Sequence, residues 1–544
     1  MSHQRQHQDL DIKTPADLDR LIVDMNRLKI CKELKKLIVF LYERKIYEQD
    51  AISRDYLNFG LASYFILDAD KYEHLFRNLQ LLPTKILVQE IGSLVTFMPG
   101  LHNEVLELVE IKYEAFPNRA RDVSLLVDEL EITPEVIEFA GKCYGIVDDG
   151  VTRKYTPAKY VTKIWVKSLG AGFADPLAYY FTGQLATAEQ LKKYIFDCIT
   201  KLQAINLNVV VVNTKLRSNF WELSELLGIE PDKQSFKVEN KEVVFIFDAP
   251  HMMCVTRNIL QKYCLKMEDG GTTSWEHIKT FFVKESESGQ KKTQLTKHHI
   301  NPVNYDRTMS AIAIDVLSNT VYTEMKAYVE SGNLPEEALA TAQCINLFDR
   351  LFDMLNSRYE EAINEYASAF RGTRWQKQYL DKAVKFLEAL KVFDNQGREK
   401  TGELKFIKAW LITIRGTKKV WEILKAKEYQ YLLTSVLNSE ELDVCFRTFR
   451  AIVRGNITPL DFIHLHSKTV RIRYFISRIL MHLRNVDTPE YARLVYKRIP
   501  AVRHNLDTPT QSMQLSVREF REIKSRLEAV CDELGLSHIP IRIP

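Results

Sequence analysis

Cysteine pairs at metal-ligand spacing are missing from this 544-residue chain: Cys31, Cys143, Cys198, Cys254, Cys264, Cys344, Cys445 and Cys531 lie scattered, with no CxxC. That excludes a disulfide framework and a zinc finger of ordinary spacing, and it points to a reducing compartment, cytosolic or nuclear. No apolar run reaches the roughly 18 residues that a membrane-spanning helix needs. The opening MSHQRQHQDLDIKT also lacks the basic-then-apolar layout of a secretory signal. Charge of one sign is lacking too, because Lys+Arg 75 against Asp+Glu 71 leaves a net +4, too little to announce a polyanion partner by itself. Glycine (20) and proline (17) are sparse beside 46% hydrophobic residues, so the chain is expected to fold. At roughly 150 residues per domain its length suggests about three or four domains.

The chain first reads as helix. Between residues 16 and 47, Leu18, Leu21, Met25, Leu28, Leu34, Leu37 and Leu41 recur at helical spacing in two short heptad runs with a register break. Such a segment either pairs with a second copy of itself or packs on its own domain. Residues 51–93 look like several short helices. Ser53 and Asp70 serve as N-caps, Glu73 stands three residues after the second, and the turn Leu82-Pro83-Thr84 leads into a last helix over 85–94. As a helix-turn-helix this unit would offer Lys85, Gln89 and Glu90 to a groove, a poor set for phosphates or guanines.

The texture changes at Arg121. VSLLVD (123–128), KCYGIV (142–147) and residues 160–166 read as consecutive strands. A helix over 187–204, a buried strand LNVVVV (207–212), a helix over 219–227, a strand VVFIF (243–247) and a helix from His251 follow. Three strands and then alternating helix and strand is the element order of an RNase H-like fold. Residues 266–428 read as mostly helical, either inserted into the sheet domain or following it. Beyond them come a helix over 440–454, a Gly455-Asn456 break and a last helix over 517–533. Lys468, Arg471, Arg473, Arg478, Arg484, Arg493, Lys497, Arg498 and Arg503 concentrate late, as a solvated face or as a surface for phosphates.

A sheet of this kind, used for phosphodiester chemistry, needs three carboxylates converging on two divalent ions. Asp128 fits the first position. The second belongs at the end of LNVVVV, where the chain instead offers Asn213, Thr214 and Lys215, and Lys215 would place a cation where the metal charge is wanted. Glu440, Glu441 and Asp443 are candidates for the third, and Asp248, on the next strand, is a candidate substitute for the second.

These phrases, in this order, resemble the P-element family of transposases, which includes the THAP-domain transposases of animals. The resemblance runs from about residue 50 to about 465 and rests on LLVDELEI (125–132), DPLAYYFT (175–182), FDAPHMMCVTRN (247–258), LTKHHINP (295–302), INLFDRLFDMLNSR (345–358), IKAWLITIRG (407–416) and YLLTSVLNSEELDVCF (431–446). It implies catalytic and metal-binding roles for Asp128 and Asp443, with the middle acid absent. It also implies a guanine-nucleotide (GTP) site at Asp353 and Asn356, without the lysines that the family carries where this chain has 309–313. Neither the family's zinc-coordinating THAP domain nor its STLRRW phrase appears, and Thr84 to Gln89 stand at the latter place.

The expectation is therefore α/β plus α: an RNase H-like mixed sheet domain (121–265, returning at 429–465) interrupted by a helical insertion (266–428). Helical regions flank it at 1–50, 51–120 and 466–544. Its implied work is binding DNA or nuclear proteins in the nucleus, as a homodimer if residues 16–47 pair. The alternatives are an active, Mg²⁺-dependent transposase with Asp248 in the vacant role, and a guanine-nucleotide-binding interaction module.

Overall fold

The computed structural model describes residues 97–114, 118–139, 142–303 and 309–482. The expected heptad helix at 16–47, the helix-turn-helix unit up to residue 96, the basic positions from Arg484 onward and the helix over 517–533 lie outside them.

Two compact units divide the chain. One, in its described part, holds α1 (Asn103–Glu114) and most of the last helix, and there the Phe97 amide donates to Ser467 Oγ at 3.0 Å. The other spans 99–101 and 116–461 and carries the sheet.

That sheet is built from β1 (Gly100–Leu101), β2 (Asp122–Glu131), β5 (Ile146–Asp148), β6 (Arg153–Pro157), β7 (Tyr160–Ser168), β8 (Ala174–Thr182), β9 (Asn208–Thr214), β10 (Ser235–Val238) and β11 (Lys241–Phe247). The hairpin of β3 (Ile137–Phe139) and β4 (Lys142–Tyr144) stands off it. The strand order is β10-β11-β9-β2-β7-β8-β5-β6, with β1 added to β8. β2, β7 and β8 pair antiparallel, whereas β9 runs parallel to both β2 and β11. This is the RNase H-like arrangement, three meandering strands and then two crossovers.

Local sequence explains the crossovers. Four consecutive valines make β9 apolar on both faces, as a central parallel strand must be. Thr187 and Gln190 form a reciprocal capping box that starts α2 (Ala188–Ala204). After α3 (Ser218–Leu226) and β11, Asp248 caps α4 (Ala249–Lys262), whose Pro250 fits a first turn.

The helical stretch comprises α5 (Trp275–Glu287), α6 (Lys297–Ile300), α7 (Ser310–Val316), α8 (Asn319–Glu330), α9 (Ala338–Leu355), α10 (Arg374–Ala389) and α11 (Phe406–Lys425). Within it β13 (Lys391–Phe393) pairs with β12 (Cys264–Lys266). Helix α11 lies directly on β11. A Cβ on Gly416 would come within 2.5 Å of Ile246 Cγ2, and Thr413 Oγ1 bonds the Phe247 backbone. α12 (Glu440–Val453) returns to the sheet, and α13 (Pro459–His482) follows the left-handed Arg454.

Candidate active site

The parallel pairing of Val127 with Thr214 puts Lys215, one step on, beside Asp128. Lys215 Nζ lies 2.8 Å from Asp128 Oδ2 and also ion-pairs with Asp443 Oδ1, in the first turn of α12. Arg217 adds a second cation, 3.4 Å from Asp128 Oδ1, and the Glu129 amide donates to the same oxygen at 2.8 Å.

The electrostatics follow from this contact. Burial opposes the charge on Asp128, but Lys215 and Arg217 outweigh it and hold the carboxyl below its usual range. Burial likewise opposes the charge on Lys215, and Asp128 and Asp443 outweigh it, raising the ammonium's pKa. His251 sits among these groups. Burial, and then the two cations, push its imidazole down to about 3, so it stays neutral with Nε2 3.2 Å from the Leu216 carbonyl.

Asp248 is near but committed elsewhere. Its Oδ1 accepts from the Ser439 amide at 2.7 Å and its Oδ2 from the His251 amide at 3.0 Å. Burial and the neighbouring Asp443 push it up to about 6 against the pull of Lys215.

Three side chains fix the turn that presents Asp443. Asp248 holds Ser439, and Asn213 donates Nδ2 to the Leu437 carbonyl. Lys167 Nζ donates to the carbonyls of Ser435 and Asn438, at 3.1 and 3.2 Å, and to Glu441 at 2.9 Å. Lys163, opposite Asp128 across the β2/β7 ladder, is wholly buried, with Nζ 2.8 Å from Cys445 Sγ and 4.7 Å from the centre of the Phe449 ring. Sequence reading missed both lysines. Their only signal is spacing, since 163 and 167 share one face of an alternating strand.

The donor set does not fit a divalent ion. An ammonium has three donors and no lone pair, and it bridges the two carboxylates that would be the ligands. Among the described residues no group of three or more His, Cys, Asp and Glu side chains is placed to hold a metal. Asp128 and Asp443 are thus brought together, but by Lys215.

The second candidate pair does not converge. Asp353 lies in the last turn of α9 and Asn356 caps its end, with φ −137° and ψ 27°. Asp353 Oδ2 accepts from Asn364 Nδ2 at 2.6 Å, whereas Asn356 Oδ1 accepts from Asn438 Nδ2 at 2.9 Å. The helix ends at Leu355, the Asn356 amide closes a last turn onto the Asp353 carbonyl at 3.3 Å, and the two side chains are engaged by different partners. Residues 309–313, at α7, carry no lysine.

Comparison with known proteins gives the same outline. Residues 97–228 match the TNP-like RNase H N-terminal domain, and residues 250–367 match the TNP-like GTP-binding insertion domain. The Transposable element P transposase of Drosophila melanogaster is 22% identical over 406 residues, 72% of this chain and 50% of that protein. The chain therefore spans about half the length of the curated relative it matches. Among solved structures, the Drosophila P element transposase strand transfer complex is similar in fold, with a TM-score of 0.67 at 19% identity over 85% of this chain and 98% of that one.

Proposed function

Starting from a chain that is P-element-transposase-like in sequence and fold, we propose that it is a transposase descendant without metal-dependent strand cleavage, working in the nucleus by binding DNA or nuclear proteins. One observation carries this reading: Lys215 bridges Asp128 and Asp443, so a positive charge intrinsic to the chain stands where two-metal catalysis needs divalent ions. A cation on a side chain can neutralise carboxylates, but it cannot activate water or hold a scissile phosphate between two metals.

The binding half of the reading draws support from the likeness to a transposase captured in a strand transfer complex and from the late cluster of Lys and Arg. A cleavage and strand-transfer assay with Mg²⁺ or Mn²⁺ tests the catalytic half, with no product expected. Product formation abolished by Asp128→Ala would overturn it and restore the working-transposase reading, in which Asp248 fills the middle role. That alternative requires Lys215 to leave Asp128 and Asp443, and Asp248 to ligate through oxygens that already accept from the amides of Ser439 and His251.

A second reading rests on the match of residues 250–367 to a GTP-binding insertion domain. In it the insertion takes a guanine nucleotide at Asp353 and Asn356, after their bonds to Asn364 and Asn438 open. Titration with labelled GTP tests this, and absence of saturation at millimolar nucleotide excludes it.

A further inference from the structure

At the outer edge of the sheet, three strands away from Asp128, a cavity of about 610 Å³ opens between α2, the end of α3, β10, β11 and α11. That volume suits a small-molecule ligand. Its lining has two halves of different chemistry.

One half is apolar and incompletely covered. Phe196 packs against Phe236 with ring centroids 5.6 Å apart, and Leu226, beside them, is 41% exposed. The other half is cationic: Lys192, Lys233, Lys237 and Lys419. Both acids of the lining already have partners. Asp232 pairs with Arg415 at 2.7 Å, and Glu242 takes Lys419 and the Ser235 hydroxyl and faces Lys237 across the strand pair. Lys192 and Lys233 have no ion-pair partner among the described residues, and Lys192 instead lies 5.5 Å over the Phe196 ring. In a chain with a net charge of only +4, ammonium groups without an ion-pair partner that line one concave, partly apolar surface favour an anion that carries a flat apolar body.

We infer that this cavity is a nucleotide-binding site, in which a phosphate is taken by Lys192 and Lys233 while the base lies on Phe196, Phe236 and Leu226. None of its lining residues falls within 250–367, the stretch that matches the GTP-binding insertion domain, and Lys419 of α11 is its one residue from the longer helical stretch. The nucleotide is either a free nucleoside phosphate or the 5′-phosphorylated end of a DNA strand, since both present the same two parts.

The test is titration of the full chain with a fluorescent N-methylanthraniloyl deoxyadenosine diphosphate. Three proteins are compared: wild type, a Lys192→Glu/Lys233→Glu double variant and Asp353→Asn. Lys233 is exposed and Lys192 half-buried over the Phe196 ring, so circular dichroism and the thermal midpoint check that the double variant keeps its fold. Saturable binding is expected in wild type, weakened at least tenfold by the double reversal and unchanged by Asp353→Asn. Competition identifies the source: displacement by a 5′-phosphorylated oligonucleotide at lower concentration than by free nucleotide assigns a DNA end, and the reverse order assigns a free nucleotide. No saturation in wild type at millimolar probe, an unaltered affinity in the double variant, or displacement by inorganic phosphate as effective as by nucleotide would each overturn the assignment.

Discussion

Asp128 and Asp349 are both carboxylates taken out of water next to a second acid, yet the first is held below its ordinary pKa and the second is pushed up to about 7. The difference lies in what stands between the acids. Beside Asp128 an ammonium bridges to Asp443. Beside Asp349, burial and Asp353 act together, opposed by one backbone N–H from Asn319 and by Arg350, whose guanidinium lies 4.8 Å over the Tyr366 ring. An internal cation thus keeps Asp128 ionised, although burial and the neighbouring Asp128 still raise the pKa of Asp443 at the other end of the bridge. The acids of α9 lack such a bridge, and burial raises the pKa of both.

The strongest way to break this contrast is to remove the bridge. Lys215→Met leaves Asp128 buried with Arg217 and the Glu129 amide for compensation, and loss of one partner of a buried pair costs about 3–5 kcal/mol. The pair's contribution is complete above the unfolded Asp pKa of about 3.9 and below the unfolded Lys pKa of about 10.4. As pH falls through the lowered folded value of Asp128, that contribution is lost. Denaturant unfolding should therefore show the full deficit at pH 7 and a shrinking one toward pH 3. Lys215→Asp sharpens the comparison, because it converts the bridge into a third carboxylate. Its thermal midpoint should lie below that of wild type in chelator and rise when Mn²⁺ is added, while wild type stays indifferent. A variant equally indifferent to Mn²⁺ would mean that more than Lys215 keeps metal out.

How far the sequence anticipates this site depends on which contacts are local. The central strand is legible because its valines are consecutive, and the missing middle acid is legible because strand ends place it. The bridge is not. Lys215 and Asp443 are separated by the whole helical insertion, and no spacing rule predicts that α12 returns over that lysine. Lys163 and Lys167 mislead for a related reason: charged residues in a strand suggest a wet face, and here that face is roofed by α12 and the turn before it. The small strands β10 and β13 carry too few residues for a periodic signal, and the cavity beside β10 was therefore invisible from composition. The contrast in the insertion has a similar origin. Asp353 and Asn356 look like one helical face until the helix stops between them.

A smaller effect is expected at the clamp. Lys167→Met withdraws the donor from the carbonyls of Ser435 and Asn438 and from Glu441, leaving acceptors in a largely dry place. Unsatisfied groups of this sort cost about 2–3 kcal/mol. The same change loosens the turn that presents Asp443. Hydrogen exchange in residues 435–443 should accelerate more than exchange in β9, and equal acceleration in both would show that the loss is global rather than local.

The mildest break concerns the unbridged acids. Asp349 has a folded pKa of about 7 against about 3.9 in the unfolded chain, so the unfolded state gives up its proton first as pH rises. Stability from this group is therefore lost progressively between about pH 4 and pH 7 and stays at its lower level above. Asp349→Asn removes the titration while keeping an oxygen to accept from the Asn319 amide. The variant should match wild type near pH 4 and exceed it above pH 7, by on the order of 1–2 kcal/mol once the partial exposure of the group is allowed for. The opposite order at pH 8 would mean that a cation reaches Asp349 in solution, and the contrast with Asp128 would then collapse into a difference of degree.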